Sequence, residues 1–176
     1  MRIIGGTFKG RRIQPPANLH ARPTTDFAKE GLFNVLDNHT DIEGKRVLEL
    51  FSGSGGIGLE FISRGAESVT GLEIDPVNLA FIRKTATLLE VDNYLIVKAD
   101  VFKFLQSGGS TYDIVFADPP YAERRLPELP ALVLGGGFVA NGGLFILEHG
   151  RDRDFSQHPR FLTERSWGNV HFSLFR

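Results

Sequence analysis

Short apolar runs alternate with amphipathic segments between residues 46 and 148. Such runs, bounded by glycine, proline or polar residues, are typical of strands buried on both faces of a sheet. They span 46–51, 68–73, 94–98, 112–117 and 143–148. The segments between them predict helices over 57–64, 76–90, 101–105 and 124–134. Because parallel strands need crossover helices, the alternation predicts an α/β fold, with a mainly parallel twisted sheet and helices on both faces.

The first 25 residues are rich in glycine, proline and arginine and follow a different pattern. Residues 1–4 and 11–13 predict a short hairpin, which the following pair of prolines ends. A helix capped by Thr25 or Asp26 should come next, because small polar side chains accept from the free N–H groups of a first turn.

The C-terminal segment has the pattern of a second hairpin. Residues 161–165 and 170–175 flank a Gly-Asn turn and predict two antiparallel strands. The predicted organisation is therefore a basic N-terminal arm or hairpin over 1–25 and a single domain over 26–176.

The composition is typical of a globular domain with one core, since 41% of the 176 residues are apolar and 23% are charged. The absence of cysteine excludes a disulfide framework, a thiolate metal site and cysteine catalysis. No apolar run approaches the roughly 18–20 residues of a membrane span. No signal peptide is recognisable either, so we expect a soluble cytoplasmic protein.

Charge is distributed unevenly along the chain. Residues 1–30 hold six basic and two acidic side chains, whereas residues 31–176 hold 14 basic and 19 acidic ones. A basic arm on an acidic body indicates an anionic partner at one end. The alternative is an arm that is solvated and has no partner.

A glycine-rich turn joins the first predicted strand to the next helix. Gly53, Gly55 and Gly58 match the spacing G-x-G-x-x-G, and Glu73 ends the following strand 20 residues after Gly53. Gly53 allows a tight turn, Gly55 lets a ligand approach the backbone, and Gly58 lets the helix pack on the strand. An acid at Glu73 can accept both hydroxyl protons of a ribose. The unit thus predicts a nucleoside site, with a turn that serves only packing as the alternative.

Two further acids bear on which nucleoside binds. Glu49 lies four residues before Gly53, where a carboxylate opposes the pyrophosphate of NAD but suits a cationic amino acid or a sulfonium. This favours S-adenosylmethionine, unless Glu49 is a strand acid paired with a nearby base. Asp100 follows the third strand, where it can accept from an adenine amino group or cap the helix that begins at Val101.

The segment Asp118-Pro119-Pro120-Tyr121 follows the fourth predicted strand. Its prolines stiffen the loop and remove two backbone donors, so the carbonyls and the Asp118 carboxylate offer acceptors only. Tyr121 adds an aromatic face. Acceptors beside an aromatic ring match the exocyclic amino group and flat face of a nucleobase. The alternative is a rigid turn with a surface tyrosine.

Taken in order, four motifs resemble those of Rossmann-like S-adenosylmethionine-dependent methyltransferases. They are residues 49–58, Glu73, Asp100 and residues 118–121. The last of them is similar to the motif of the enzymes that methylate amino groups.

The N-terminal region carries a more specific resemblance. Met-Arg-Ile-Ile-Gly-Gly-Thr-Phe-Lys-Gly-Arg-Arg at 1–12, Arg-Pro-Thr-Thr-Asp at 22–26 and Glu-Gly-Leu-Phe-Asn at 30–34 resemble the RsmD family. That family methylates the N2 amine of a guanine in 16S ribosomal RNA. The resemblance covers nearly the whole chain and implies S-adenosylmethionine as cofactor. It also implies 16S rRNA in the small ribosomal subunit or its precursor as partner, and a monomer with neither metal nor membrane association.

Residue roles follow from the motifs and the resemblance. The predicted cofactor-binding residues are Glu49, Phe51, Gly53, Gly55, Gly58, Glu73, Asp100 and Val101. The predicted catalytic residues are Asp118, Pro119 and Tyr121. The predicted RNA-binding residues are Arg2, Lys9, Arg11, Arg12, Arg22, Thr24 and Thr25.

The chain departs from the family at the start of the first helix. Where the family often has Arg-Val-Arg-Glu, this chain has Phe27, Ala28, Lys29 and Glu30. A contact made by the first arginine cannot be carried over to Phe27. Lys29 keeps a charge but lacks the planar fork of a guanidinium.

The resemblance implies an in-line transfer of a methyl group to guanine N2. Asp118 and the Pro119 carbonyl would accept the two amine hydrogens, while Tyr121 would hold the base by stacking. Three alternatives stay open: the same chemistry on adenine N6 or cytosine N4 in RNA or DNA, a nicotinamide-dependent dehydrogenase, and an RNA-binding module without enzymatic activity.

Overall fold

The computed structural model describes residues 1–21 and 24–176. In these residues the strands are β1 (Arg46–Leu50), β2 (Ser68–Glu73), β3 (Tyr94–Lys98), β4 (Tyr112–Ala117), β5 (Val139–His149), β6 (Phe161–Trp167) and β7 (Val170–Phe175). The helices are α1 (Asp26–Leu36), α2 (Gly56–Ser63), α3 (Pro76–Leu88), α4 (Val101–Ser107) and α5 (Leu129–Gly135), with a short 3₁₀ helix over Leu126–Glu128. None of these helices has the length and apolar character needed to cross a membrane.

The strands form one sheet in the order β3-β2-β1-β4-β5-β7-β6. β1 to β5 are parallel, whereas β7 is antiparallel to β5 and β6 is antiparallel to β7. The predicted Rossmann-like α/β fold with a C-terminal hairpin is therefore confirmed. The carboxyl ends of the parallel strands open on one edge of the sheet, where ligands bind in such folds.

Alternating side chains of the central strands supply two separate cores. Val47 packs with α1, α2 and α3 on one face, while Leu48 packs with α4 and α5 on the other. Phe33 and Phe61 anchor the first core, with ring centroids 4.9 Å apart. Because both faces are covered, each strand must be apolar at successive positions, which explains the continuous apolar runs of the sequence.

The predicted helix over 124–134 is wrong in its extent. A 3₁₀ helix with Pro127 in its first turn is followed by α5 with Pro130 in its first turn. Proline has no N–H to donate, so a helix tolerates it in its first turn but not in its interior. The two prolines therefore divide one predicted helix into two short ones.

The strand predicted over 143–148 also differs, because β5 begins at Val139. Tyr112 pairs with Val139 and Ile114 pairs with Leu144, so residues 140–143 form an irregularity in the β4–β5 pairing. Gly142 adopts the left-handed φ of 76° that this irregularity requires. Gly143, where the predicted strand began, therefore lies inside β5.

The N-terminal arm packs against α1 and α2. Arg2 and Arg12 form the predicted antiparallel pairing, and Ile3 and Ile13 are buried in the first core. The division of the chain into an arm over 1–25 and a domain over 26–176 stays a prediction.

Glu60 of α2 holds this arm against the rest of the molecule through hydrogen bonds. Its carboxylate accepts from the N–H groups of Ile4 at 3.0 Å and Gly5 at 2.7 Å. Lys29 of α1 lies 3.5 Å from the same carboxylate and is 1% exposed. Burial lowers the pKa of Lys29, against the opposing effect of the Glu60 charge. Lys29 is therefore a buried structural cation.

We expect Lys29→Ala to lower the free energy of unfolding by about 3 kcal/mol, because it leaves the buried Glu60 without one of its cations. The cost should lie at the low end for a buried pair, since Arg64 still contacts Glu60 at 3.1 Å. Denaturant unfolding measures it. Lys84→Ala, on the exposed side of α3, is the matched control and should change the value by less than about 0.5 kcal/mol. Equal effects of the two substitutions would refute the structural role.

Candidate active site

A cavity of about 870 Å³ lies at the carboxyl edge of the sheet, between the ends of β1, β2, β4 and β5. Most of the predicted site residues line it: Thr24, Thr25, Glu49, Phe51, Gly53, Glu73, Asp100, Val101, Asp118, Pro119 and Tyr121. The cavity does not include Gly55, Gly58, Arg2, Lys9, Arg11 or Arg12 among its lining residues. Arg22 lies outside the described residues. The structure thus brings the predicted cofactor and catalytic motifs together in one place.

The glycine turn is shaped by packing inside the protein. Gly53 and Gly55 adopt left-handed φ angles of 54° and 71°. A Cβ on Gly55 would come within 2.9 Å of Ile82, and one on Gly58 would overlap Glu49 and Tyr94. The close packing of α2 on β1 at Gly58 agrees with its predicted purpose. Gly55 owes its lack of a side chain to Ile82 and its backbone angle, and a ligand contact there stays a prediction.

Glu49 is buried and held by two donors. Its Oε1 accepts from the Gly58 N–H at 2.8 Å, and its Oε2 accepts from the Tyr94 hydroxyl. Burial raises the pKa of Glu49 to about 7. Its partners are thus an amide and a phenol, and pairing with a base is not what the structure shows. Sequence reasoning missed Tyr94, which was given no role beyond beginning the predicted third strand.

Glu73 is held at the end of β2 by three backbone N–H groups. Its Oε2 accepts from Gly53 at 2.7 Å, while its Oε1 accepts from Ile74 and Asp75 at 2.8 Å each. These bonds fix the orientation of the carboxylate. Since each carboxylate oxygen has two lone pairs, acceptor capacity remains on Oε2, and Glu73 lines the cavity.

The rim near Glu73 contains residues that sequence reasoning did not single out. Asp75 caps α3, and its Oδ2 lies 2.7 Å from Nδ1 of His20. The hydrogen bond with His20 lowers the pKa of Asp75. His20 belongs to none of the sequence motifs, and only the fold brings it beside Asp75. Asp100 caps α4 through the Lys103 N–H at 2.9 Å, so the capping alternative is correct, although Asp100 also faces the cavity.

Asp118 and Glu148 form a pair of carboxyl groups at the ends of adjacent strands. Ala117 pairs with Leu147, so the next residues, Asp118 and Glu148, occupy the same row of the sheet. Burial and the neighbouring Glu148 charge raise the pKa of Asp118 well above its usual range. Burial raises the pKa of Glu148 to about 7. Each carboxyl group therefore opposes ionisation of the other.

Tyr121 completes this group. Its hydroxyl donates to Oε1 of Glu148 at 3.3 Å, and burial beside the two acids raises its pKa. Tyr121 is nevertheless 52% exposed, so much of its surface is open to a ligand. Glu148 was missed because it was counted only as the last residue of a predicted strand. An acid at the carboxyl end of the strand next to Asp118 was the available signal.

The cavity is strongly acidic. Seven carboxyl side chains line it: Glu49, Glu73, Asp75, Asp100, Asp118, Glu123 and Glu148. Among the described residues, its lining includes His20 but neither lysine nor arginine. The described part of the chain also contains no group of three or more acidic, histidine or cysteine side chains arranged to hold a metal ion. The lining repels a pyrophosphate and attracts a cation.

The basic residues of the arm lie on the surface outside the cavity. Lys9, Arg11 and Arg12 are exposed, whereas Arg2 contacts Asp26 at 2.9 Å. Arg2 therefore has an acidic partner that its position in a basic arm did not suggest. Phe27, in the first turn of α1, is 69% exposed.

Comparison with known proteins gives matches over most or all of the chain. The family model described as conserved hypothetical protein 95 matches residues 1–176. The ribosomal RNA small subunit methyltransferase D of Buchnera aphidicola (subsp. Baizongia pistaciae) is 31% identical, over 99% of this chain and 91% of its own length. The protein of the same name from Escherichia coli K12 is 38% identical over 149 residues, which cover 84% and 74% of the two chains. The solved structure of yhhF from Escherichia coli, a proposed methyltransferase, superposes with a TM-score of 0.86 at 32% identity, over 99% and 96%.

We expect Glu148→Gln to lower the pKa of Asp118, because the variant removes the negative charge that opposes ionisation of Asp118. A ¹³C NMR titration of side-chain carboxyl groups measures this, with the Asp118 signal assigned from Asp118→Asn. Glu128→Gln is the matched control, because the Glu128 carboxyl group pairs with Arg125 at 2.7 Å and does not line the cavity. An unchanged Asp118 titration in Glu148→Gln would mean that burial alone raises the pKa.

Proposed function

This chain belongs to the conserved hypothetical protein 95 family, and on that premise we propose that it methylates the N2 amine of a guanine in 16S ribosomal RNA, with S-adenosylmethionine as the methyl donor. The names of the relatives, ribosomal RNA small subunit methyltransferase D, agree with the resemblance to the RsmD family. The observation that carries the proposal is the acidic cavity that Asp118, Pro119 and Tyr121 line together with Gly53 of the glycine turn.

The cavity suits S-adenosylmethionine in charge and in shape. When bound, this cofactor supplies an electrophilic methyl group on a sulfonium, and its amino acid end carries an ammonium. Glu73 binds the two ribose hydroxyls, and Asp100 accepts from the adenine amino group. Phe51 and Val101 provide apolar walls for the ring, and Glu49 contributes negative charge near the cationic end.

The Asp-Pro-Pro-Tyr segment positions the amine. Asp118 and the Pro119 carbonyl accept its two hydrogens, and this draws the nitrogen lone pair out of the ring. The ring of Tyr121 stacks on the base and fixes the direction of attack. As the N–CH₃ bond forms and the S–CH₃ bond breaks, one proton leaves N2 for the Asp118 carboxylate. The amine hydrogens favour the ionised form of Asp118, so base binding prepares the acceptor.

The exposed cations of the arm supply the contacts with RNA. Lys9, Arg11 and Arg12 project from the hairpin, where they can neutralise phosphates without entering the acidic cavity. Such contacts strengthen binding without selecting a sequence. The small subunit or its precursor presents the substrate RNA.

The alternatives left open by the sequence differ in their fit to the cavity. A nicotinamide dinucleotide would place a pyrophosphate among seven carboxyl groups, which opposes that reaction. A module that only binds RNA gives no account of the cavity. Amine methylation on adenine or cytosine fits the same cavity, and the product analysis below separates these bases.

We expect N2-methylguanosine in 16S rRNA to disappear from cells that lack this gene and to return with the wild-type gene. Asp118→Ala should not restore it, because the variant removes the acceptor of the amine proton. In vitro, its single-turnover rate on small subunits should fall about 100-fold. Nucleoside mass spectrometry reads both results. An unchanged affinity for S-adenosylhomocysteine shows that the variant is folded, and loss of N6-methyladenosine or N4-methylcytidine instead would identify another base.

We expect Glu73→Ala to weaken S-adenosylhomocysteine binding by about 1.5–3 kcal/mol, the size of a hydrogen bond to a charged group. Because Glu73 also holds Gly53, part of the loss could come from the turn. Calorimetric titration with the analogue that lacks both ribose hydroxyls separates the two causes. Wild type should prefer the natural ligand over this analogue, whereas Glu73→Ala should bind both equally. A preference of unchanged size in the variant would contradict the ribose assignment.

A further inference from the structure

We propose that Glu148 accepts the N1–H of the target base and so makes the site selective for guanine. This inference rests on the proposed function, since it concerns which base enters the same site. Neither the Asp-Pro-Pro-Tyr motif nor the glycine turn includes Glu148, and the chemistry of the amine alone does not require it.

The position of Glu148 fits this role. It is the last residue but one of β5, in the row that contains Asp118, and it lines the same cavity as Asp118, Pro119 and Tyr121. A planar base stacked on Tyr121 with its amine at Asp118 can therefore turn N1 of its Watson–Crick edge towards β5. The acidic side chain at that position of β5 is Glu148.

The hydrogen bonds of Glu148 leave one oxygen available. Oε1 accepts from the Tyr121 hydroxyl at 3.3 Å, which favours negative charge on Glu148. Among the described residues, no hydroxyl or N–H group donates to Oε2, although Glu148 is only 5% exposed and its carboxyl group lies within hydrogen-bond reach of the Asp118 carboxyl group. A buried carboxylate oxygen without a donor costs free energy, and a ligand that brings an N–H removes this cost.

Guanine has the edge that two adjacent acceptors require. Its N1–H lies next to its N2 amine, so the edge presents neighbouring donors. The amine of adenine lies next to N1 and that of cytosine next to N3, and both atoms are acceptors with a lone pair. Opposite a charged Glu148 these lone pairs are repelled, while Oε2 stays without a donor. One carboxylate thus attracts guanine and opposes the other two bases.

The test uses small subunits reconstituted with 16S rRNA that carries either guanine or 2-aminopurine at the methylated position. 2-Aminopurine keeps the N2 amine, but its N1 is an acceptor. In single-turnover methylation, wild type should prefer guanine by roughly tenfold or more, the discrimination expected from one well-placed base contact. Glu148→Gln can donate an amide N–H to N1, so this preference should fall by roughly tenfold or reverse.

The ratio of the two preferences isolates the N1 contact. 2-Aminopurine also lacks O6 and has a different amine reactivity, but these differences act equally on both enzymes and cancel. Glu123→Gln removes one charge from the same cavity and should keep the wild-type preference, because the Glu123 carboxylate accepts from the Arg125 N–H at 2.8 Å. An unchanged affinity for S-adenosylhomocysteine confirms that Glu148→Gln is folded.

The outcomes separate the two proposals. Methylation of guanine by wild type together with an equal preference in Glu148→Gln would overturn the role of Glu148 and leave the proposed function intact. If Glu148→Gln does not fold, the wild-type rates test the inference on their own. Equal wild-type rates on guanine and 2-aminopurine overturn it. If wild type methylates neither substrate, the proposed function fails, and the inference fails with it.

Discussion

The site depends on how the protein buries carboxylates at the carboxyl edge of a parallel sheet. Glu49 lies one residue before the end of β1, and Glu73 ends the neighbouring β2. Glu49 accepts from the Gly58 N–H in the first turn of α2 at 2.8 Å, and Glu73 accepts from the Gly53 N–H of the glycine turn at 2.7 Å. In dinucleotide-binding turns such N–H groups face a pyrophosphate. Here they are occupied by the protein's own acids. The same bonds therefore fix the shape of the turn, keep the cavity negative and disfavour a phosphate ligand.

Basic and acidic residues lie in separate regions, because the basic arm is held outside the acidic cavity. Glu60 accepts from the arm backbone at Ile4 and Gly5, and the buried Lys29 balances the charge of Glu60. The arm is thus held by its backbone, and the side chains of residues such as Arg11 and Arg12 stay free of that task. An anionic ligand and a cationic one are thus attracted to different parts of the surface.

The sequence predicts the features that local pattern controls. Strands covered on both faces must be apolar, and the spacing from Gly53 to Glu73 follows from one strand-helix-strand unit. The predicted ends of strands were wrong where a single backbone angle determines the end of the strand. Phe51 was assigned to the first strand, yet its φ of 61° ends β1 at Leu50. The position of β7 between β5 and β6 was not predictable either, because a hairpin pattern does not say which of its strands joins the sheet.

The missed site residues share a different cause. Tyr94 acts on Glu49 from β3, and Glu148 acts on Asp118 from β5, although the partners are 45 and 30 residues apart in sequence. No motif of consecutive residues records such contacts. They become visible only when strand order and register are known. Acids at strand ends are therefore better judged together, by the edge they share, than singly by their flanking residues.

The Asp118–Glu148 pair shows how the fold itself generates a preference for a ligand. Adjacent parallel strands lie about 4.8 Å apart, and the two acids occupy one row, so the backbone cannot separate them. The stiff Pro119-Pro120 segment prevents the loop from turning Asp118 away. Without ligand, the repulsion opposes ionisation of both groups together. A ligand edge with several N–H donors relieves the repulsion, because each donor stabilises an ionised carboxylate. The free-energy cost of placing two acids side by side at the sheet edge is thus recovered on binding, and only by ligands with several N–H donors.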